Sequence, residues 1–204
     1  RVSGQFLWVG FDFLGESDRW PLRGSAAGLF DTCGFLKPRA FIRAALWAEH
    51  PVVYLGVRSQ GGGFRGGRFG GVESHWNWQN DSRAALPVDV YSNCKTVELF
   101  LNGKSLGTKT AEESRYGTFR WSVPFKAGEL KAVGSVDGHT VQLRLITAGR
   151  AARIELVPDK TRLAADGQDV SQIELRLVDK NGVVVPNGST LCNVSVNGAG
   201  RLLA

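Results

Sequence analysis

Apolar and polar residues alternate along much of the second half of the chain. Residues 97–101 place an apolar side chain at every second position, and residues 119–123 repeat the pattern. A period of two residues is typical of a strand with one buried face. The dipeptides Asn102-Gly103 and Asp137-Gly138 lie between such segments and predict tight hairpin turns. We therefore predict a β-sandwich from about residue 50 to residue 149.

The alternation continues beyond residue 150. Residues 154–157 and 173–178 both predict strands, and an Asp166-Gly167 turn lies between them. Residues 194–196 are apolar at both ends and predict one further strand. These strands are too few to close a sandwich. Residues 150–204 therefore predict a second immunoglobulin-like domain that is truncated.

The first 49 residues have a different pattern. Residues 6–9 predict a buried strand, a loop with several Gly and Pro comes next, and apolar residues recur at helical spacing from Pro38 to Trp47. A strand, a loop and a helix form one β/α unit, which cannot bury both faces of its strand alone. The chain also opens on Arg1 without an initiator Met. We expect a segment of a longer protein, with the rest of a parallel sheet or barrel upstream.

A glycine-rich segment at residues 61–71 interrupts the predicted sandwich. Its two Arg and two Phe among Gly are similar to segments that bind RNA through stacking. A glycine-rich loop inserted before a strand is the other interpretation, and one short copy favours it.

Composition and charge argue against several classes of binding partner. The formal net charge is +6, but the Lys and Arg residues are scattered and form no basic run that could follow a phosphate backbone. No apolar run approaches the roughly 20 residues of a membrane helix. Cys33, Cys94 and Cys192 have no zinc-ligand spacing and predict free thiols. We expect no nucleic acid, membrane, metal or cofactor as partner.

Candidate chemistry lies in the first segment. Trp8 ends the predicted strand, and Asp12 and Glu16 come next on the loop. In a β/α barrel this rim is where active sites lie. An aromatic ring stacks on the C–H groups of a sugar, and glycosidic cleavage uses paired carboxylates. Core packing of Trp8 under the helix, and turn capping or loop salt bridges by Asp12 and Glu16, remain open as alternatives.

Sequence motifs carry a resemblance to a known family. Residues 6–16 (FLWVGFDFLGE) resemble the F-x-W-x-G-F-D-Y-x-G-E segment near the end of the catalytic barrel in family 2 glycoside hydrolases of the β-galactosidase type. Residues 28–38 (GLFDTCGFLKP) resemble their G-I-I-D-x-x-G-F-P-K-D loop, and residues 74–78 (SHWNW) resemble their P-H-W-N-W strand. Residues 97–107 (VELFLNGKSLG) resemble a family segment of the same sequence, and residues 163–170 (LAADGQDV) the opening of the next immunoglobulin-like domain.

The resemblance covers nearly the whole chain and implies a fold and an activity. It implies immunoglobulin-like β-sandwiches preceded by the last β/α unit of a (β/α)₈ barrel, in a retaining hydrolase of β-linked, galactose-containing sugars. Residues 1–49 would end the barrel. The two catalytic Glu would lie upstream, because neither of their motifs occurs here, so this chain would hold no catalytic residue and be inactive alone. Trp8 would form the floor of the sugar subsite, with Asp12 and Glu16 nearby as binding or supporting groups.

The same resemblance implies partners, and it leaves an alternative function open. It implies a carbohydrate substrate, the upstream part of the same enzyme and a bacterial source, with a periplasmic or extracellular location favoured. A homo-oligomer stays open. The alternative function is a module without catalysis, either a scaffold or a sandwich that holds carbohydrate through exposed Trp76, Trp78 or Trp121.

Overall fold

The computed structural model describes residues 3–4, 6–17, 20–21, 23–59, 71–186 and 188–203. Within these ranges the chain is mainly β, with one α-helix and a short 3₁₀ helix at Ala111–Glu113. The elements are β1 (Phe13–Leu14), β2 (Gly24–Ser25), α1 (Pro38–Trp47), β3 (Val53–Arg58), β4 (Val72–Glu73), β5 (Leu86–Ser92), β6 (Thr96–Leu101), β7 (Lys104–Thr110), β8 (Thr118–Val123), β9 (Glu129–Val136), β10 (His139–Ile146), β11 (Ala151–Pro158) and β12 (Ile173–Asp179).

Two four-stranded antiparallel sheets form the predicted sandwich. One has the order β10-β9-β6-β7 and the other β4-β3-β5-β8. Side chains that alternate along β6 enter the space between the sheets, as the period of two predicts. This shared core contains Leu55, Val57, Trp76, Leu86, Val88, Val90, Val97, Leu99, Phe119, Val123, Leu130 and Ala132. The β-sandwich prediction is confirmed.

Both predicted hairpin turns are present. Asn102 and Gly103 have φ angles of 51° and 80°, and they join β6 to β7. Asp137 and Gly138 have φ angles of 48° and 80°, and they join β9 to β10. Two successive positive φ angles match the right-handed twist of the flanking strands, and this conformation favours Asn-Gly and Asp-Gly pairs.

Helix α1 has the predicted bounds and packs against the outer face of the sheet that contains β3 and β5. Its Phe41 ring stacks on Tyr54 with centroids 4.2 Å apart, and Tyr54 stacks on Tyr91 at 5.8 Å. Ala45 is buried beside Gly117, where a Cβ atom would lie 3.3 Å from the Cβ of Ala45. The helix is therefore fixed to the sandwich by aromatic stacking and by close approach at a glycine.

The strand predicted at residues 6–9 is wrong. Phe6 is fully exposed, and no described residue pairs with this segment as a strand. Pairing begins only further on, where Phe11 bridges to Phe30 and β1 pairs with β2. An extended segment needs a neighbouring strand for its backbone N–H and C=O groups. The Val9 carbonyl accepts a hydrogen bond from the Leu29 N–H at 3.2 Å, but no described strand runs alongside residues 6–9. The assignment of residues 1–49 to a barrel stays a prediction.

The third segment contains one ribbon, formed by β11 and β12. Residues 194–196 form no strand, so that prediction is wrong, and Val184 makes only an isolated bridge to Val178. Leu156 and Leu175 on the ribbon are largely exposed, because no described strand covers them. A two-stranded ribbon has no second layer against which to bury an apolar face.

The glycine-rich segment at residues 61–71 lies outside the described residues except for Gly71. On either side of it, the Ser59 N–H donates to the Gly71 carbonyl at 3.0 Å. Within the described ranges, no helix is both long and apolar enough to cross a membrane.

Candidate functional site

The predicted site lies on a loop that runs from Trp8 to Lys37 and is folded back on itself. Backbone hydrogen bonds join the Asp12 N–H to the Phe30 carbonyl at 2.9 Å and the Lys37 N–H to the Leu29 carbonyl at 2.8 Å. A Cβ atom at Gly28 would lie 2.2 Å from the Asp12 nitrogen. Only glycine fits between the two arms of this loop, because the obstacle is backbone and cannot move aside.

Asp12 holds the loop together through its carboxylate, which is 15% exposed. Its Oδ1 accepts hydrogen bonds from the Gly28 N–H at 2.7 Å and from the Lys37 ammonium at 2.8 Å. Its Oδ2 accepts a second one from Lys37 at 2.9 Å. Lys37 also donates to the Ala26 carbonyl at 2.9 Å, and the Arg39 Nε donates to the Gly28 carbonyl at 2.8 Å. These charge-assisted bonds fix the middle of the loop to the start of helix α1.

Trp8 and Glu16 are presented outward by the same loop. The Trp8 side chain is 71% exposed, and its ring meets Phe13 edge to face at 6.1 Å. Glu16 is exposed just after β1, at a positive φ of 47°. No hydrogen bond or ion pair joins the Glu16 carboxylate to another described residue. An exposed aromatic ring and an exposed carboxylate on one braced loop can hold a sugar by stacking and by hydrogen bonding.

The structure places all three predicted residues on this loop, but sequence reasoning did not single out Lys37 and Arg39. Both are basic residues at the start of α1, whose first turn contains no acidic residue. The N-terminus of a helix carries partial positive charge and disfavours cations. Two cations at this unfavourable position could have identified Lys37 and Arg39 from sequence, because they indicate an anionic partner outside the helix. Burial lowers the pKa of Arg39, and the nearby Asp12 charge opposes this shift.

The sandwich tryptophans do not form an exposed sugar platform. Trp76 is 0% exposed, and its Nε1 donates to the Lys126 carbonyl at 2.8 Å. Trp78 is partly buried, stacks on His75 at 4.7 Å and has the Arg83 guanidinium 5.5 Å from its ring centroid. Trp121 is also partly buried against the core. The expectation of stacking through exposed Trp76 is therefore wrong, because this ring lies inside the sandwich.

A concave region lies where the sandwich meets the β11–β12 ribbon. It is a cleft of about 550 Å³ lined by residues 127–128, 147–150 and 179–181. Hydrogen bonds hold the linker in place here, because Asn77 bonds to both backbone groups of Ala148 and the Asp179 Oδ2 accepts from the Gly149 N–H at 2.8 Å. Within the described ranges, no three His, Cys, Asp or Glu side chains are grouped as metal ligands would be.

Asp179 accepts hydrogen bonds where the linker at residues 147–150 meets the β11–β12 ribbon, a contact that we call the linker joint. Besides Gly149, the N–H groups of Asn181 and Val183 donate to its Oδ1 at 2.8 and 2.9 Å. The N–H groups of Gly149, Val183 and Asn181 lower the pKa of the Asp179 carboxyl. Because the folded-state pKa is lowered, the contribution of the Asp179 carboxylate to the free energy of unfolding is complete above the ordinary carboxyl pKa of about 3.9. It is lost as the pH falls through the folded-state pKa. The hydrogen bonds of Asp179 at the linker joint should therefore be unaffected by pH near neutrality.

Replacement of Asp179 by alanine should loosen the linker. Three N–H groups lose their acceptor, so we expect trypsin to cleave after Arg150 roughly tenfold faster than in the parent protein. The measurement is the rate at which peptides ending at Arg150 accumulate, followed by mass spectrometry. Asp166→Ala is the matched control, because this exposed Asp caps only its own turn through the Gln168 and Asp169 N–H groups. Equal cleavage rates in the two variants would contradict the role of Asp179.

Comparisons with known proteins extend these observations. The model of a domain family described as glycoside hydrolase family 2 C-terminal domain 5 matches residues 154–204. A second model, described only as a domain of unknown function (DUF4982), matches residues 84–142. The first match begins on the β11–β12 ribbon and extends to the last residue of the chain, and the second falls on the sandwich.

Individual relatives agree with the family match. The chain is 32% identical over 202 residues to the β-galactosidase BoGH2A of Bacteroides ovatus, which is 98% of this chain and 22% of that protein. It is 31% identical over 150 residues to a putative β-glucuronidase of Formosa agariphila, which is 68% of this chain and 12% of that protein. The chain therefore spans only about a fifth or less of the length of these curated relatives.

Solved structures show the same relationship. A glycosyl hydrolase family 2 member from Bacteroides cellulosilyticus matches with a TM-score of 0.74 and 35% identity, over 87% of this chain and 23% of that one. A β-glycosidase from Bacteroides vulgatus matches with a TM-score of 0.71 and 30% identity, over 87% of this chain and 20% of that one. The fold and the motifs define a β-sandwich region of a carbohydrate-active enzyme. The chain belongs to glycoside hydrolase family 2 and corresponds to part of the C-terminal region of these enzymes.

Proposed function

We propose that this chain is part of a retaining glycoside hydrolase that cleaves β-linked galactosides, with both catalytic carboxylates supplied by an upstream barrel. The main support is the loop on which Trp8 is exposed, while hydrogen bonds between Asp12 and Lys37 hold the loop in place. Relatives named β-galactosidase and β-glucuronidase support hydrolysis of β-glycosides. The same proposal assigns residues 1–49 to the end of the barrel, 50–149 to the sandwich and 150–204 to a second immunoglobulin-like domain.

Within the site, the three residues have different proposed roles. Trp8 forms the floor of the sugar subsite by stacking on C–H groups of the ring. Glu16 accepts hydrogen bonds from sugar hydroxyls, since no described residue occupies its carboxylate. Asp12 lies at the edge of the subsite and mainly supports the loop, since both of its oxygens already accept bonds from within the protein.

The choice of a galactoside over a glucuronide follows from the state of Lys37. A uronic acid brings a carboxylate, which needs a cation or several donors when it leaves water. The Lys37 ammonium already makes hydrogen bonds to both Asp12 oxygens and to the Ala26 carbonyl. An ammonium has three N–H donors, so Lys37 retains none for a substrate carboxylate. A neutral sugar fits this loop better.

The test compares two substrates in the full-length enzyme. We expect kcat/KM for nitrophenyl β-galactoside to exceed that for nitrophenyl β-glucuronide by about 100-fold, which corresponds to roughly 3 kcal/mol of unfavourable transfer of the uronate carboxylate. A glucuronide preference would contradict the galactoside assignment. Absence of turnover on any β-glycoside would contradict the hydrolase proposal as a whole.

A further inference from the structure

Helix α1 connects the loop that carries Trp8 to the sandwich, with contacts at both ends. At its start, Lys37 donates hydrogen bonds to both oxygens of the Asp12 carboxylate and to the Ala26 carbonyl, and Arg39 donates to the Gly28 carbonyl. Lys37 is the residue that immediately precedes the helix, which begins at Pro38. The helix and the loop therefore share one charged junction.

The placement of these cations is unfavourable for the helix itself. The N-terminus of an α-helix carries the equivalent of about half a positive charge, so Lys and Arg in this position are repelled. Lys37 also provides no side-chain hydrogen bond to cap the helix. The stabilisation of this junction comes from the loop, because the Lys37 ammonium donates to both oxygens of the Asp12 carboxylate, which is only 15% exposed.

The remainder of α1 is held by the sandwich. Phe41 stacks on Tyr54, which stacks in turn on Tyr91, and Ala45 packs beside Gly117. Just after the helix, the Asn93 side chain donates to the Ala48 and His50 carbonyls at 3.0 and 2.8 Å and accepts from the Val52 N–H at 2.8 Å. Both the helix body and the chain that leaves it are thus fixed to the sheet formed by β3 and β5.

We propose that Lys37 is a positioning residue for sugar binding, and that through it the sandwich sets the place of Trp8. Lys37 does not touch the sugar, because its donors all point into the loop. It ties the arm at Asp12, four residues after Trp8, to a helix whose position the sandwich determines. This gives the sandwich a specific part in substrate binding, and the inference rests on the proposed role of Trp8.

The test is a double-mutant cycle in the full-length enzyme with nitrophenyl β-galactoside as substrate. Because a stacking platform contributes to substrate and transition state alike, we expect Lys37→Met to raise KM about tenfold and to change kcat less than twofold. Lys37→Arg retains the charge and the donors, so it should restore most of the affinity. In a Trp8→Ala background, Lys37→Met should have little further effect on KM, because the residue through which it acts is gone.

Controls separate this inference from the proposed function. Lys104→Met is the matched control, since Lys104 is an exposed lysine on β7 whose ammonium group makes no hydrogen bond or ion pair with another described residue, and it should leave KM unchanged. If Trp8→Ala has no effect on KM, the proposed sugar platform fails. If Trp8→Ala raises KM but Lys37→Met adds its full effect in that background, the platform stands and the positioning role is overturned. If Lys37→Met does not fold, Lys37→Gln, which retains an amide donor but not the charge, provides the same cycle.

Discussion

Replacement of Trp76 by alanine should destabilise the sandwich by about 3–5 kcal/mol, the range for truncating a large aromatic core residue. Trp76 is 0% exposed, packs 5.3 Å from Phe125 and donates its indole N–H to the Lys126 carbonyl. The variant loses this packing and leaves the carbonyl without its partner. A domain is typically stable by only about 5–15 kcal/mol, so the loss is a large fraction of the total.

The measurement is urea unfolding of this chain, followed by far-ultraviolet circular dichroism so that loss of a fluorophore does not confuse the signal. Trp76→Phe should cost less, because it retains a buried ring while losing the N–H donor. Trp47→Ala is the control, since this ring is largely exposed at the end of α1. A loss below about 1 kcal/mol for Trp76→Ala would contradict its place at the centre of the core.

Much of the sandwich could be predicted from sequence because its signals are local. Alternation in residues 97–101 identifies a buried face, and Asn102-Gly103 specifies the turn that sets the pairing register. The bounds of α1 were also predicted correctly, because Pro38 and the apolar spacing both lie within the helix. In each case neighbouring residues carry enough information to fix the structure.

The errors have a common physical origin. Residues 6–9 and 194–196 are apolar enough for strands, but a strand forms only where another strand offers hydrogen bonds. The sequence of the segment itself does not contain that partner. The ion pair between Asp12 and Lys37 was not predicted, for a related reason. Its two residues are 25 positions apart, and only the folded loop brings them within 2.8 Å.

Replacement of Trp8 by alanine in the full-length enzyme should lower kcat/KM for a β-galactoside by about 100-fold, mostly through KM. Burial of an aromatic surface and its stacking with a sugar together contribute roughly 3 kcal/mol, and each 1.36 kcal/mol is a factor of ten. Trp8 is 71% exposed in this chain, so its removal creates no cavity in the core. The loss should therefore appear in binding, with little change in the unfolding midpoint.

Two further variants make this result specific to the stacking face. Trp8→Phe retains a ring that can stack, so it should recover part of the affinity. Trp20→Ala is the matched control, because Trp20 is another largely exposed tryptophan of the same loop that carries no proposed sugar contact. If Trp20→Ala raised KM as much as Trp8→Ala, the effect would reflect general disturbance of the loop. A selective loss with Trp8→Ala supports a defined sugar platform, because only a ring in direct contact with substrate distinguishes two exposed tryptophans of one loop.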